Sequence, residues 1–314
     1  MAQQTWTFDA PTGTYKSHAM SRQLYMAALE EAVFADHVRP VDGFGRKRGE
    51  TVTLTRVGNI AEPTSAQLTE TERIPEDTFT LSTVAITVKE FGRAVPFTSL
   101  ADDLSEYDLE NPIQRKLTEQ MKLVVDTKGA AAFKTAKVKY VPTGLASSTI
   151  TTNGTAGAQA TANMNVFHVE EIRDYLFDTL HAPPAEGDDY IAIFRTLGIR
   201  GIKRDPSWEE WHKYTDPQAK YNSEVGRLES TRFIETNHSD ALTKTGASSV
   251  LGEGVVFGRD AVAMAEVLTP ELRAAIPQDF GRQKSVAWYG IFEYGLIWDT
   301  GNAGEARVVH VTST

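Results

Sequence analysis

The sequence predicts an α+β fold. Three observations carry that prediction. Two runs rich in threonine and valine, ETVTLTRV at 50–57 and FTLSTVAITV at 79–88, alternate as strands do and flank a long polar segment. A helical pattern follows at 112–135. Strand-like runs then return near the end, at 285–298 and 306–311. No linker separates two halves and no internal repeat is evident, so both kinds of element belong to one arrangement.

Residues 1–16 are polar with scattered aromatics, Trp6, Phe8 and Tyr15, and Pro11 and Gly13 oppose a helix. The segment reads as an extended arm lying on a surface, because Trp6 and Phe8 are costly to leave in water; the alternative is a frayed terminus. Over 17–35, Met20, Leu24, Ala28 and Ala32 recur at helical spacing. VRPVDGFGRKRGE then breaks the pattern with Pro40, Gly43, Gly45 and Gly49. The two Thr/Val runs enclose NIAEPTSAQLTETERIPED, which holds Pro63 and Pro75 and no helical periodicity. Together they read as a projecting hairpin. A lone two-stranded ribbon is marginal in water, so it must lie on its own chain or on another copy.

Asp102, Asp103, Glu106, Asp108 and Glu110 precede Asn111-Pro112-Ile113-Gln114. That tetrapeptide reads as a helix start: Asn caps, Pro suits the first position and Gln completes a capping box. The acids upstream favour the positive end of the helix dipole. Ile113, Leu117, Met121 and Val124 mark its buried stripe. A helix to residue 135 is roughly 36 Å long. Further on, 137–141 reads as a strand and SSTITTNGTAGAQATAN as a loop or short exposed hairpin. Asn165 caps a helix whose inner face is Val169, Ile172, Leu176 and Leu180, stopped by Pro183-Pro184. A buried strand at 189–194 leads to a helix at 197–204; 205–224 is loop-dominated and aromatic. Strand character resumes at 225–235 and 249–257, with a short helix expected at 260–268.

Composition and motifs exclude more than they select. The chain has 314 residues, enough for a substantial core, and a net charge of -10, which disfavours a broad nucleic-acid surface. It has no cysteine, hence no disulfide, thiolate nucleophile or cysteine-ligated metal. MAQQTWTFDAPTG has no secretory pattern, and the most apolar stretch, 249–268, is broken by Glu253, Arg259, Asp260 and Glu266, so no membrane partner is expected. Gly43-Phe44-Gly45 with Gly49, and Gly252-Glu253-Gly254 with Gly258, miss the dinucleotide spacing by one residue. No phosphate loop, nucleophile elbow or HExxH occurs. His168 and His181 stand too far apart to share a metal, and His212 beside Trp208 and Trp211 reads as packing or a pocket. No catalytic, cofactor or metal residue is assigned, and a non-enzyme is expected. The one basic run, Arg46-Lys47-Arg48, is a phosphate contact, a contact for an acidic partner, or a solvated turn. The acidic stretch at 102–110 is its charge complement, and the two could meet between copies packed side by side.

Four segments carry a resemblance, in order over some 250 residues: LTETERIPEDTFTLSTVAITVKEFGRAVPFT, YNSEVGRLESTRFIET, VVFGRDAVA and SVAWYGIFEYGLIW. None is a strict signature alone. In that order the chain resembles major capsid proteins of tailed bacteriophages with the Hong Kong 97-type fold, within them the N-four-like podophage branch. The resemblance implies an N-terminal arm and helix at 1–44, an extended loop at 45–91 and a peripheral domain at 92–188 with a spine helix at 112–135. It implies an axial domain at 189–282 and returning strands at 283–314. It further implies pentamers and hexamers closing into an icosahedral head around double-stranded DNA held by non-specific contacts. Assembly would occur in the host cytoplasm, with a separate scaffolding protein, a portal and in some relatives a decoration protein as partners. No removable scaffolding segment and no covalent Lys–Asn cross-link is expected. Assembly contacts are expected at Trp6, Phe8, Arg46, Lys47, Arg48, Arg56, Leu68, Glu70, Glu72, Ile74, Asp102, Asp103 and Glu106. An encapsulin-type shell around a cargo enzyme is the nearest alternative, and a soluble enzyme a distant one.

Overall fold

A computed structural model describes residues 29–30, 32–41, 44–60, 62–63, 66–68, 70, 73–105, 109–206, 224–276 and 279–314. Its strands, in chain order, are β1 (Arg39–Pro40), β2 (Thr51–Val57), β3 (Leu81–Thr87), β4 (Lys89–Thr98), β5 (Val138–Gly144), β6 (Ser147–Thr151), β7 (Tyr190–Arg195), β8 (Glu224–Leu228), β9 (Thr231–Thr236), β10 (Lys244–Thr245), β11 (Leu251–Gly252), β12 (Gly254–Phe257), β13 (Val262–Ala274), β14 (Gln283–Leu296) and β15 (Val308–Val311). The α-helices are α1 (Ser99–Leu104), α2 (Glu110–Lys134), α3 (Val166–Asp174) and α4 (Thr196–Lys203).

Two larger sheets organise the chain. One has seven strands in the order β6-β5-β15-β12-β7-β9-β8, and the other four in the order β1-β13-β14-β4. The central strands of the seven-stranded sheet are buried on both faces. Tyr190, Ala192 and Phe194 of β7 join α3 and α4 in one core; Ile191 and Ile193 join Phe34, Phe133 and Phe292 in the other. That is why YIAIF is a continuous apolar run and not an alternating one. Strands from 138–144, 190–195 and 308–311 thus share a sheet, and 262–274 pairs with 283–296, so each sheet draws on several stretches of sequence.

Helix α2 crosses the four-stranded sheet. Its 25 residues span about 37 Å. The expected stripe holds: Leu117 is buried against Val286 and Trp288, with Ile113, Met121 and Val124 packed around them. Trp288 Nε1 donates to Gln120 Oε1 at 3.1 Å, which satisfies its one buried polar group. Asn165 caps α3 as expected, and the box is closed by His168, whose Nδ1 accepts from Asn165 N at 3.3 Å. Val169, Ile172, Leu176 and Leu180 are all buried.

Four expectations need correction. The segment 260–268 is the start of a strand, β13, and not a helix. Its Ala, Met, Glu and Leu favour helix locally, but Val262 and Met264 face one core and Ala263 and Ala265 another, so pairing with β14 decides. The helix expected over 17–35 does not include 29, 30, 32 or 33, and Phe34–His37 is a 3-10 turn. There the amides of Val33 and Phe34 donate to Asp126 and so leave the helical ladder. Helix α2 begins at Glu110 after Leu109, one residue before Asn111, and Gln114 Nε2 donates to Glu110 Oε1 at 2.9 Å in place of completing a box. Finally, 225–235 is a hairpin and not a single run: β8 and β9 are joined at Glu229 and Ser230, whose φ values are 46° and 55°. Two successive left-handed residues match the twist of a tight hairpin.

Candidate assembly surface

The projecting hairpin is the β2–β3 ribbon. Its register runs from Thr51 opposite Thr87 to Val57 opposite Leu81. Among the described residues the ribbon pairs with no other strand, and side chains hold its base. Ile86 is buried on Ala263 and Ala265, with Val52, Leu54, Phe44 and Ile297 around it, on the opposite face of the four-stranded sheet from α2. Gly295 of β14 makes this approach possible: a Cβ there would stand 2.8 Å from Ile86 Cγ1.

Arg56 fastens the same base. It is only 8% exposed. Its Nε donates to Ser82 Oγ at 3.1 Å and its Nη1 to Ile297 O at 3.2 Å and Asp299 Oδ1 at 2.6 Å, and the guanidinium lies over Trp298. Expected as a contact between copies, Arg56 is instead engaged within its own chain, because a guanidinium at a ribbon base is cheaper to satisfy with nearby acceptors than to leave for a partner.

Beyond the base the picture reverses. Every described residue of 59–80 is exposed. Val57, Ile60, Leu68, Ile74, Phe79 and Leu81 leave 56–66% of their surface in solvent. Glu70 is exposed among them, and Arg73 pairs with Glu76. Large apolar residues exposed in such a concentration are unusual on the surface of a single chain. Arg46, Lys47 and Arg48 form an exposed turn at the foot of the ribbon, with Lys47 at φ 67°. Asp103 is exposed, and Asp102 pairs with Lys284 at 3.3 Å. The basic run and the acidic stretch are therefore not paired in one chain by any contact among these. Trp6, Phe8, Glu72 and Glu106 lie outside the described residues, as does the His212 cluster with Trp208 and Trp211.

No protein-family model matches the chain, and no curated sequence matches it. Solved structures do. The capsid asymmetric unit of cyanophage Pam1 superposes with a TM-score of 0.71 at 14% identity, covering 98% of this chain and 99% of that one. The capsid of Ralstonia phage GP4 gives 0.70 at 12% identity over 99% and 98%. The capsid of Helicobacter pylori bacteriophage KHP30 gives 0.69 at 12% identity over 95% and 96%. The chain has the phage capsid-protein fold. The likeness spans both sheets, α2 and the ribbon together, as expected for a Hong Kong 97-type subunit.

Within this capsid fold lie two buried polar networks that no sequence motif announces. In the first, Asp126 of α2 is fully buried. Its Oδ1 accepts the amides of Val33 at 2.7 Å and Phe34 at 2.6 Å, and its Oδ2 pairs with His238 Nδ1 at 2.7 Å. It latches the chain ahead of β1 to α2. In the second, Glu253 accepts from His310 Nε2 at 2.7 Å and from Thr243 N at 2.7 Å and pairs with Lys134 Nζ at 2.9 Å. Lys139 Nζ donates to Lys134 O at 2.7 Å and meets His310 Nδ1 at 2.9 Å. An ammonium at Nδ1 leaves the proton on Nε2, facing Glu253. Burial alone would raise the Glu253 carboxyl, but the hydrogen bonds from His310, Lys134 and Thr243 outweigh it and hold it at about 2. Burial lowers Lys139 to about 8, against the pull of Glu253. The signal for Asp126 is one carboxylate among the buried apolar residues of α2; Glu253 needs the tertiary pairing of β12 with β15 to make sense.

Among the described residues no group of His, Asp and Glu is arranged to hold a metal. His168 is occupied by its capping box and His181 is exposed, with Nδ1 near Phe177 O at 3.3 Å. No helix among those residues is long and apolar enough to cross a membrane.

Proposed function

We propose that this chain is the major capsid protein of a tailed phage, assembling through pentamers and hexamers into the icosahedral head that encloses double-stranded DNA. One observation carries the reading: a full-length capsid fold whose ribbon is anchored at its base and bare at its tip. The tip's uncovered apolar residues need a surface, and a neighbouring copy supplies one. Head-to-tail contacts of this kind close into rings, and many modest contacts repeated around a closed shell give a stable whole.

In this reading the four-stranded sheet with α2 is the peripheral domain, the seven-stranded sheet with α3 and α4 is the axial domain, and 45–91 is the extended loop. The division follows the sheets in preference to single cuts at 188 and 282. Arg46, Lys47 and Arg48 meet the acids of 102–106 on a neighbour; Leu68, Glu70 and Ile74 lie across it. The chain works as a virion component built in the host cytoplasm, not as an enzyme, with a scaffolding protein, portal and decoration protein as further partners. An encapsulin-type shell has less support, since the matched structures are phage capsids.

The test is a double substitution at the tip, Leu68→Asp with Ile74→Asp. Both side chains are solvent-exposed in the single chain, so the monomer keeps its denaturation midpoint while assembly, followed by light scattering, is lost. Assembly at the wild-type rate would refute a role for the tip.

A further inference from the structure

Two stretches carry the chain between the sheets side by side. Residues 258–261 lead from β12 in the seven-stranded sheet to β13 in the four-stranded sheet, and 297–307 lead back from β14 to β15. They are bonded to each other near both ends. Ile297 N donates to Ala261 O at 3.1 Å, and Gly258 N donates to Arg307 O at 2.9 Å. The Arg307 side chain adds to this: its Nη1 donates to Arg259 O at 3.0 Å and pairs with Asp260 at 3.7 Å. The two stretches therefore form one strap. Short connections of this kind between packed bodies are where hinge motion is absorbed.

The longer stretch is bonded within itself and so moves as a body. Thr300 Oγ1 and Asn302 Nδ2 both donate to Glu305 Oε2, at 2.8 and 3.3 Å, and the amides of Glu305 and Ala306 donate to Asn302 O at 3.3 and 3.1 Å. On one side it is seated against the seven-stranded sheet and its helices. Gly304 N donates to Leu180 O at 2.8 Å, at the end of the helical stretch that continues α3. Gly301 lies so close to the residue after β6 that a Cβ there would run into Thr152 O. On the other side it holds the ribbon. Arg56 donates to Ile297 O and Asp299, and a Cβ on Gly304 would run into Asn59 Nδ2, just beyond β2. Trp298 adds a further link. Its ring carries two guanidinium groups, Arg56 of the ribbon at 5.7 Å from the centroid and Arg307 of the strap at 5.2 Å. Such contacts strengthen when they are withdrawn from water, and Arg56 is buried.

A ribbon held only by Ile86 on its own sheet would leave the strap free to flex alone. Here a rotation of one sheet against the other must bend both stretches of the strap. That bend displaces Ile297 O, Trp298 and Asp299, the groups that hold Arg56. We infer that ribbon and strap are one conformational unit, in which the angle between the two sheets sets the direction of the ribbon through Arg56 and Trp298. The inference concerns the single chain and does not depend on the capsid reading.

Residue-resolved hydrogen exchange on the full-length chain tests the linkage from both sides, because local opening is read amide by amide. Arg56→Met keeps the apolar stem and removes the guanidinium. The amides of Gly304 and Gly258, bonded to Leu180 and Arg307, should then exchange at least tenfold faster, while those of β7 and β9 keep their protection. Gly301→Ala pushes the strap off Thr152 from the side away from the ribbon, and the bonded amides of β2 should speed up at least tenfold. A change confined to 50–59 and 80–88 in Arg56→Met, or to 297–307 in Gly301→Ala, would show two independent parts and overturn the inference. If Gly301→Ala also exposes β7 and β9, Thr300→Ala, which removes one bond inside the strap, takes its place with the same two outcomes.

Discussion

Replacing Asp126 with alanine should release the segment ahead of β1 from α2 without unfolding the core. The carboxylate is fully buried and serves three partners: the amides of Val33 and Phe34, and His238. Alanine leaves two buried amides and an imidazole without their acceptor, and breaking a buried pair of this kind costs about 3–5 kcal/mol. Detaching the segment instead lets water satisfy those groups, and the main loss is burial of Phe34, about 2–3 kcal/mol. Phe34 packs on Phe133 with ring centroids 5.7 Å apart. The cheaper route is therefore detachment. Hydrogen exchange should show the amides of 33 and 34 losing protection by more than a hundredfold, while amides of β7 and β12 keep theirs. Asp126→Asn keeps one acceptor oxygen but loses its charge, and should fall between the two. Unchanged exchange at 33 and 34 in Asp126→Ala would refute the latch.

Other consequences follow from the same geometry. Glu253 is held at about 2 against an ordinary 4.5, so its contribution is fully present above pH 4.5 and is lost as pH falls towards 2; roughly 3 kcal/mol of stability should disappear over that window, and Glu253→Gln should flatten the acid limb of a denaturation-versus-pH curve. Lys139 is lowered to about 8 from 10.5, so between those values the unfolded chain holds a proton that the folded chain has shed. Its contribution makes stability rise with pH there by roughly 3 kcal/mol, a slope that Lys139→Met should remove in alkaline denaturation. Gly295→Val drives a side chain into Ile86, and overpacking of this kind costs about 1–3 kcal/mol; the ribbon should lift, seen as faster exchange at 82–86. Reversing the charge of Arg46, Lys47 and Arg48, all exposed, should impair assembly and leave the monomer's denaturation midpoint unchanged; normal particles from that variant would remove the proposed pairing with 102–106.

Elements whose local pattern agrees with their burial were legible in the sequence. The ribbon strands alternate and are half-buried at their base, α2 has one apolar stripe on one sheet, and Asn165 caps α3. Failures arose where distant pairing overrides local preference. AVAMAEVL looks helical until β14 claims it, and the end of the expected 17–35 helix yields its amides to a carboxylate 92 and 93 residues away. The order of the four resembling segments identified the capsid fold, yet their wording could not reveal that Arg56 is consumed inside its own chain. That depends on Asp299 and Ile297 O, more than 240 residues distant.

The central claim is that the chain works by assembling into a shell. Negative-stain electron microscopy of the purified full-length protein at high concentration tests it most directly. The account predicts closed icosahedral particles, or tubes and sheets built from five- and six-membered rings. A uniform monomer or dimer, with no larger assembly under any condition that keeps the protein folded, would contradict it.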